Sequence, residues 1–417
     1  MEKNNKTLNV PHLRFPEFSK EWEKATLQSV ATLSKGTGIS KDQLSEEGLP
    51  CILYGELYTK YNSEIIDTII SKTDIDPEKL VRSQANDVII PCSGESAVDI
   101  ATARCVKQSK VLLGGDLNII RLKGEHDGSF FAYQLNGKRK YDIAKVAQGV
   151  SVVHLYGEHL KRVMVNYPSA TEQKKISSLL ALIDQRIETQ KKIIEDLKKL
   201  KDAIAEKLFC SPDDETPELR IANSSVCWNL YRLKDVCQRI SERNSQESSS
   251  LVLTIAAQYG LVSQTDFFNK SVASENLSNY YLIQKGDFAY NKSYSGEYPW
   301  GAVKRLELYE KGVLSPLYIC FRPNPLIVNS DFLSHYFETH KWHNGIAQIA
   351  GEGARNHGLL NVSISDYFAT LHRLPGLSEQ KKIASYLNLL SDKISLANKE
   401  LQCYSRQKQY LLARMFI

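Results

Sequence analysis

Glu172-Gln173-Lys174-Lys175-Ile176 returns, letter for letter, as Glu379-Gln380-Lys381-Lys382-Ile383, 207 positions later. Pro168 and Pro375 each stand four residues ahead, and Thr171 and Ser378 stand directly in front as expected N-caps. Behind the first copy runs Ile176, Leu180, Ile183, Ile187, Gln190, Ile194, Leu197, Lys201, Ile204 and Leu208. Behind the second runs Ile383, Leu387, Leu390, Ile394, Ala397, Leu401, Tyr404, Lys408, Leu411 and Met415. Each residue of the second run lies 207 positions after its counterpart in the first. Alternating three- and four-residue steps make a heptad seam, so these are the helix-packing residues. Leu179, Ile193 and Leu200 widen the first stripe, which predicts burial on more than one side. Neither run contains Pro or Gly, so each predicts one unbroken helix. The first, over 171–209, would reach about 58 Å at about 1.5 Å per residue. Taken alone, such a seam equally suits a dimerisation coiled coil. The basic face of Lys174, Lys175, Lys191, Lys192, Lys198 and Lys199 is interleaved with acids and reads as a solvated coat.

The duplication extends outward. Pro11, Leu13, Arg14, Trp22, Leu27 and Val30 are matched by Pro217, Leu219, Arg220, Trp228, Leu233 and Val236 at one offset of 206. Asn86-Asp87-Val88 stands where Gly286-Asp287-Phe288 stands, and Ser93-Gly94-Glu95 aligns with Ser295-Gly296-Glu297. Tyr133, Ile143, Ala144 and Ala147 align with Tyr336, Ile346, Ala347 and Ala350, predicting a short helix in each half. Runs such as Val88–Pro91, Asn118–Leu122, Leu251–Ile255 and Leu317–Phe321, bounded by turn residues, predict short strands. Each half is therefore a mixed α+β globule followed by a long helix. The expected segments are a flexible tail 1–10, a first globule 11–170, a helix 171–209, a linker 210–217, a second globule 218–375 and a helix 376–417.

Composition bounds the function. At 417 residues the chain is too long for one ordinary core. The net charge of +5 permits a nucleic-acid partner without requiring one. The eight cysteines show no C-x-x-C pair or finger spacing, which predicts reduced thiols in a cytoplasm. No apolar run approaches the roughly 20 residues of a membrane span. There is no phosphate-binding G-x-x-x-x-G-K-[ST] loop, no G-x-G-x-x-G after a strand, and no Asn/Asp-Pro-Pro-aromatic run of an amino-methyltransferase. Asp76-Pro77-Glu78-Lys79 has nuclease-like letters but reads as a helix start. His335, His340 and His343, with Glu338, form a conceivable metal cluster, yet a surface helix accounts for them better. The sequence thus assigns no catalytic residue and no metal ligand.

Polar loops remain. Lys35 and Thr37, Ser93 and Glu95, and Gln148 and Ser151 lie in Gly-bearing loops of the first half. Lys292, Ser293 and Tyr294, and Arg355, Asn356 and His357, lie in the second, while Lys138, Arg139 and Lys140 form a basic run. Arg pairs with guanine and Asn or Gln with adenine in the major groove, Lys and Arg hold phosphates, and Gly lets a loop enter a groove. These fifteen residues are the expected DNA contacts.

A globule, a P-x-x-x-E-Q-x-K-I helix, a second globule and a second such helix, opened by Leu13-Arg14-Phe15-Pro16-Glu17-Phe18 with Trp22, resembles the specificity (S) subunit of type I restriction–modification systems over nearly the whole chain. The resemblance implies an α+β fold of two target-recognition domains separated by two long antiparallel helices in a pseudo-two-fold, circular repeat. Each domain would read one half of a split, asymmetric site on double-stranded DNA. The helices would set the gap and dock two methyltransferase and two restriction subunits. S-adenosylmethionine, ATP and Mg would sit on those partners, so this chain is expected to be a non-catalytic cytoplasmic subunit holding no cofactor. The second helix runs almost to Ile417, so closure of the circle is expected to fall to residues 1–16. A coiled-coil adaptor without a DNA-reading role, or the specificity subunit of another multi-subunit restriction class, are the rival readings.

Overall fold

The computed structural model describes residues 9–221, 227–256, 260–268, 276–296, 298–350 and 358–417. Most of the expected tail and the loop residues Arg355, Asn356 and His357 lie outside them. The chain folds into two compact units, Met1–Lys192 with Lys399–Ile417, and Ile193–Asn398. Both long helices pass from one unit to the other.

In the first unit a five-stranded sheet runs in the order Ala31–Lys35, Leu117–Leu122, Asp87–Pro91, Arg104–Val106, Ile65–Ile66. All neighbours are antiparallel except the last pair, which is parallel. Asp87–Pro91 is buried along its whole length, as a central strand must be. Phe130, Phe131 and Tyr133 of the helix Gly128–Asn136 are fully buried in the core that this sheet shares with the long helices. A second, four-stranded sheet is built from Leu44–Ser45, Leu49–Ile52, Ser71–Thr73 and Leu112–Leu113.

The second unit repeats the central sheet with four strands, Cys237–Arg239, Ile319–Pro323, Phe288–Asn291 and Ala302–Arg305. In place of the second sheet the described residues form two antiparallel strand pairs, Leu253–Ala256 with Gly260–Ser263 and Tyr281–Gln284 with Lys311–Leu314. The frame matches in detail. Arg121 forks onto Asp87 through Nε and Nη2 at 2.9 and 2.7 Å, and Arg322 onto Asp287 at 2.6 and 2.8 Å. Each aspartate also accepts a main-chain N–H, from Gln84 or Gln284. The preceding residue has positive φ in both units, +79° at Asn86 and +91° at Gly286. Asn and Gly are the two residues that tolerate this region, which is why one replaces the other.

The long helices span Ala170–Leu208 and Leu377–Arg414. The first starts one residue before its expected boundary and the second one residue after, and Thr171 and Ser378 lie inside the first turn in both. Ser169 and Gly376 precede the helices instead, and their carbonyls accept the N–H of Gln173 and Gln380. Within the first unit the helices run antiparallel, with Gln190 Nε2 donating to Glu400 at 3.0 Å. Within the second, Ala205 and Leu208 share a core with Ile383, Ala384 and Leu387, which is again antiparallel. Every seam residue is buried or half-buried. The wider stripe holds only at Leu179, because Ile193 and Leu200 are 43% and 49% exposed.

The single short helix expected in each half is in fact two. Gly128–Asn136 and Lys140–Val146 are broken at Gly137 and its neighbours, and Ser330–Tyr336 and His343–Ile349 repeat the break. Asp76 caps the 3-10 turn Pro77–Lys79 by accepting from Glu78 N, as its letters indicated.

Candidate nucleic-acid interface

The repeated letters are structural clamps. Glu172, 2% exposed, receives Arg14 through Nε and Nη2 at 2.7 and 2.8 Å and also Trp22 Nε1 at 3.2 Å. Glu379 receives Arg220 through Nε and Nη2 at 3.2 and 2.8 Å. Gln173 accepts Asp127 N at 3.0 Å and donates to Pro168 O at 2.8 Å. Gln380 likewise accepts Asn329 N and donates to Pro375 O, each at 2.7 Å. Asp127 and Asn329 are the N-caps of the first short helix in each unit. The Glu therefore fastens the segment that enters the unit, and the Gln fastens the short helix against the long one. Lys175 pairs with Glu17 and lies 4.5 Å from the Phe15 ring. Ile176 and Ile383 are each 1% exposed in their cores.

At the far end of each helix the apolar residues close the other unit's core. Leu411, Met415 and Phe416 enter the first, with Phe416 against Trp22 and Phe130. Ala205, Leu208 and Phe209 enter the second, with Phe209 against Phe332. The N-terminal segment joins the first closure, since Leu13 N donates to Arg414 O at 2.9 Å.

The loops divide by what holds them. Ser93 lies in the short strand Ser93–Gly94, paired with Val153–His154. With Glu95 and Ser151 it lines a cleft of about 650 Å³ that also includes Tyr54 and Tyr58. Tyr58 donates to Ser93 O at 3.1 Å, and burial pushes its hydroxyl above the ordinary tyrosine range. The turn between Gln148 and His154, which exchange main-chain hydrogen bonds at 2.9 and 2.7 Å, carries Val150 at 96% exposure and Val152 at 55%. Gly149 at φ +122° makes this turn possible, and a Cβ there would meet Val152 O at 2.1 Å. Four expected contacts, Ser93, Glu95, Gln148 and Ser151, therefore belong to one exposed feature.

Others are placed differently. Lys35 is exposed at a strand end, its Nζ 5.9 Å from the Tyr156 ring. Thr37 Oγ1 accepts Val81 N at 3.0 Å and ties two loops together. Arg139 Nη2 donates to Ile417 O at 2.6 Å and Nη1 to Asp142 at 3.0 Å, so this guanidinium holds the end of the chain; Lys138 is exposed and Lys140 half-buried beside it. In the second unit Ser293 bridges Leu359, Tyr294 N donates to Gly358 O, and Leu360 N donates to Lys292 O. These contacts flank 351–357, which, with Arg355, Asn356 and His357, lie outside the described residues. They also move the alignment. Ser293, rather than Ser295, is the counterpart of Ser93.

Residues 19–199 match the family model of the type I restriction modification DNA specificity domain. The fold of the whole chain is shared with the S subunit of a type I restriction–modification system from M. genitalium, at a TM-score of 0.59 and 18% identity, covering 98% of this chain and 99% of that one. A structure described as the basis of complex assembly and conformational transition of the type I R-M system matches at a TM-score of 0.57 and 13% identity, over 95% and 97%.

The cleft and the turn of the first unit are thus carried on a frame held by the repeated clamps. Sequence reasoning missed one constellation in it. Lys408 Nζ, on the second helix, is 2.6 Å from both Glu64 and Asp184. Tyr133 donates to Asp184 at 2.7 Å. Burial opposes the Lys408 charge, but the two carboxylates prevail and hold its pKa above the ordinary lysine value. The only signal was Lys408 itself, a charge at a seam position. Among the described residues no His/Cys/Asp/Glu group is placed to hold a metal ion. The three histidines are otherwise engaged: His335 Nε2 meets Asn388 at 2.8 Å, His340 Nδ1 meets Glu206 at 2.7 Å, and His343, pushed down to about 4 by burial, packs edge-on against the His340 and Trp342 rings. No helix among the described residues is long and apolar enough to cross a membrane.

Proposed function

We propose that this chain is the DNA-reading subunit of a type I restriction–modification complex, with each unit reading one half of a bipartite, asymmetric site. One observation carries the reading: identical Arg–Glu and Gln clamps and Arg–Asp forks support two units whose exposed parts differ. A duplicated scaffold with unlike loops is what an asymmetric two-part target requires. In the first unit the turn 148–154 and the cleft with Ser93, Glu95 and Ser151 would meet base edges, and Lys35 and Lys138 the backbone. In the second, Lys292, Ser293 and the segment with Arg355, Asn356 and His357 would do the same. Thr37 and Arg139 act as supports.

The two long helices set the gap between the half-sites and dock the partners. Leu182, Leu389 and Leu396 are 60%, 64% and 59% exposed on them, outside the packed seam, and suit two methyltransferase subunits. Methyl transfer with S-adenosylmethionine, and ATP- and Mg-dependent cleavage by two restriction subunits, reside in those partners, in the cytoplasm where the DNA is.

Methylome mapping after inserting two matched heptads into both helices tests this. The gap between half-sites changes and the letters stay. Changed letters with an unchanged gap would overturn the reading.

A further inference from the structure

The lysine near the C-terminal end of each long helix is one repeated residue in two settings. In the first unit Lys408 is sealed between Glu64 and Asp184, and its side chain is 16% exposed. Glu64 leads into the edge strand Ile65–Ile66, which lies parallel to Arg104–Val106 and completes the sheet; Cys105 N donates to Glu64 O at 2.8 Å. Burial disfavours the Arg104 charge there, and Glu64 and Asp184 partly compensate it.

The second unit lacks this filling. The counterpart of Lys408 is Lys201, and the counterpart of Asp184 is Ser391. The strand Ala302–Arg305 ends its sheet, with no counterpart of Ile65–Ile66 paired beside it among the described residues. By the registers Ala289↔Lys304 and Ile89↔Arg104, Lys304 stands where Arg104 stands. A cavity of about 750 Å³ occupies the place, lined by the cations Lys198, Lys201, Lys304 and Arg305, the acids Asp202, Glu307 and Glu338, and Ser391 among others. That volume is typical of a small-molecule site.

Two of the wall's cations are committed. Lys304 pairs with Glu338 and Arg305 with Asp331, each at 2.6 Å. Lys198 and Lys201 have no ion-pair partner among the described residues. Asp202, also on the cavity wall, is pushed above the ordinary carboxylate value by burial while the neighbouring Lys201 charge pulls it down. A lysine whose twin needs two carboxylates here faces a cavity with a serine hydroxyl in the place of one of them.

We propose that this cavity binds a small oxyanion, phosphate- or carboxylate-bearing, with Lys201 and Lys198 supplying the positive charge; the Ser391 hydroxyl, which donates to Leu387 O at 3.1 Å, leaves the place of Asp184 without a carboxylate. The bound oxygens stand where Asp184 and Glu64 stand in the first unit. The charge-assisted hydrogen bonds available to an ammonium there are stronger than neutral ones.

Titration calorimetry of the full chain with inorganic pyrophosphate, and separately with succinate, at fixed ionic strength tests the site. Saturable binding of one anion per chain is expected for at least one of the two, and which one identifies its source. Lys201→Met weakens it about ten-fold or more. Ser391→Asp does the same while raising the melting temperature, because the new carboxylate neutralises Lys201 as Asp184 neutralises Lys408. Lys199→Met, on the exposed partner of Glu195, leaves binding unchanged. In the unsubstituted chain, the bound anion slows acetylation of Lys201 by a soluble reagent, read by mass spectrometry, so a poorly folded variant does not block the test. Absence of saturable binding for both anions, retention in both variants, or equal loss in Lys199→Met overturns the proposal.

Discussion

Replacing Lys408 by Met is the sharpest perturbation of this fold. The methionine keeps the stem's volume and removes only the charge. Glu64 and Asp184, each 7% exposed, then face one another without the ammonium that holds them 2.6 Å away on either side. Side-chain exposures of 16%, 10% and 9% leave little solvent to screen the change. Removing one partner of a buried ion pair costs about 3–5 kcal/mol, because the remaining charge is stranded. For a unit of roughly 200 residues, each kcal/mol lowers the melting temperature by about 2–4 °C, so the first unit should melt about 6–20 °C earlier. Lys201→Met supplies the control, since it removes the equivalent residue with no paired carboxylate and should cost less than about 1 kcal/mol. Differential scanning calorimetry of both variants makes the comparison, and adding Glu64→Gln and Asp184→Asn to Lys408→Met should recover most of the loss. Equal costs for the two lysines, or a cost below about 1 kcal/mol for Lys408→Met, would refute the account of the ion cluster.

Four other outcomes follow from the geometry. Arg14→Ala should cost about 3–5 kcal/mol in denaturant unfolding, since it strands the buried Glu172, and Arg220→Ala should cost less, because Glu379 is only half-buried. His372, fully buried between Tyr336 and Thr370, is pushed down to about 4 from 6.5, so its contribution is flat above about pH 6.5 and turns against folding as pH falls from there toward 4. Melting curves should therefore show about 2 kcal/mol lost by pH 5, and His372→Gln should flatten that slope. Ser151→Ala with Ser93→Ala should relax the letters of one half-site only, at about 1 kcal/mol per lost hydroxyl hydrogen bond, and methylome mapping reads it. Arg355→Ala should act on the other half-site, and an unchanged methylome would remove that loop from the contact surface.

Much of the frame was legible because its signals are local. A heptad seam, a Pro four residues ahead and a Trp at a fixed offset each depend on neighbours in sequence, so duplication leaves them recognisable. Asn86 standing for Gly286 is readable for the same reason, once both are seen to need positive φ. The expected strands at Val88–Pro91 and Asn118–Leu122 formed because β-branched runs bounded by turn residues bury well in a central sheet. Errors arose where one letter had two uses. Arg139 reads as a phosphate ligand in sequence and is a clamp on Ile417 in the fold. Ser295 looked like the partner of Ser93 by its neighbours, but strand register assigns Ser293.

The amino-acid sequence by itself determined that this protein is two copies of one α+β plan, each ending in a long helix, with no catalytic motif of its own. Helical period, capping letters and repeat offset are properties of the chain read in one dimension. Only the tertiary structure decided what the repeated letters do and where the halves differ. Glu172 meets Arg14 across 158 positions, and Lys408 meets Glu64 across 344. No local rule connects residues that far apart, because their meeting depends on how both helices pack into a closed core. The same physics explains why twin lysines part company. One is neutralised by Glu64 and Asp184, and the other faces a cavity where, among the described residues, neither has a counterpart.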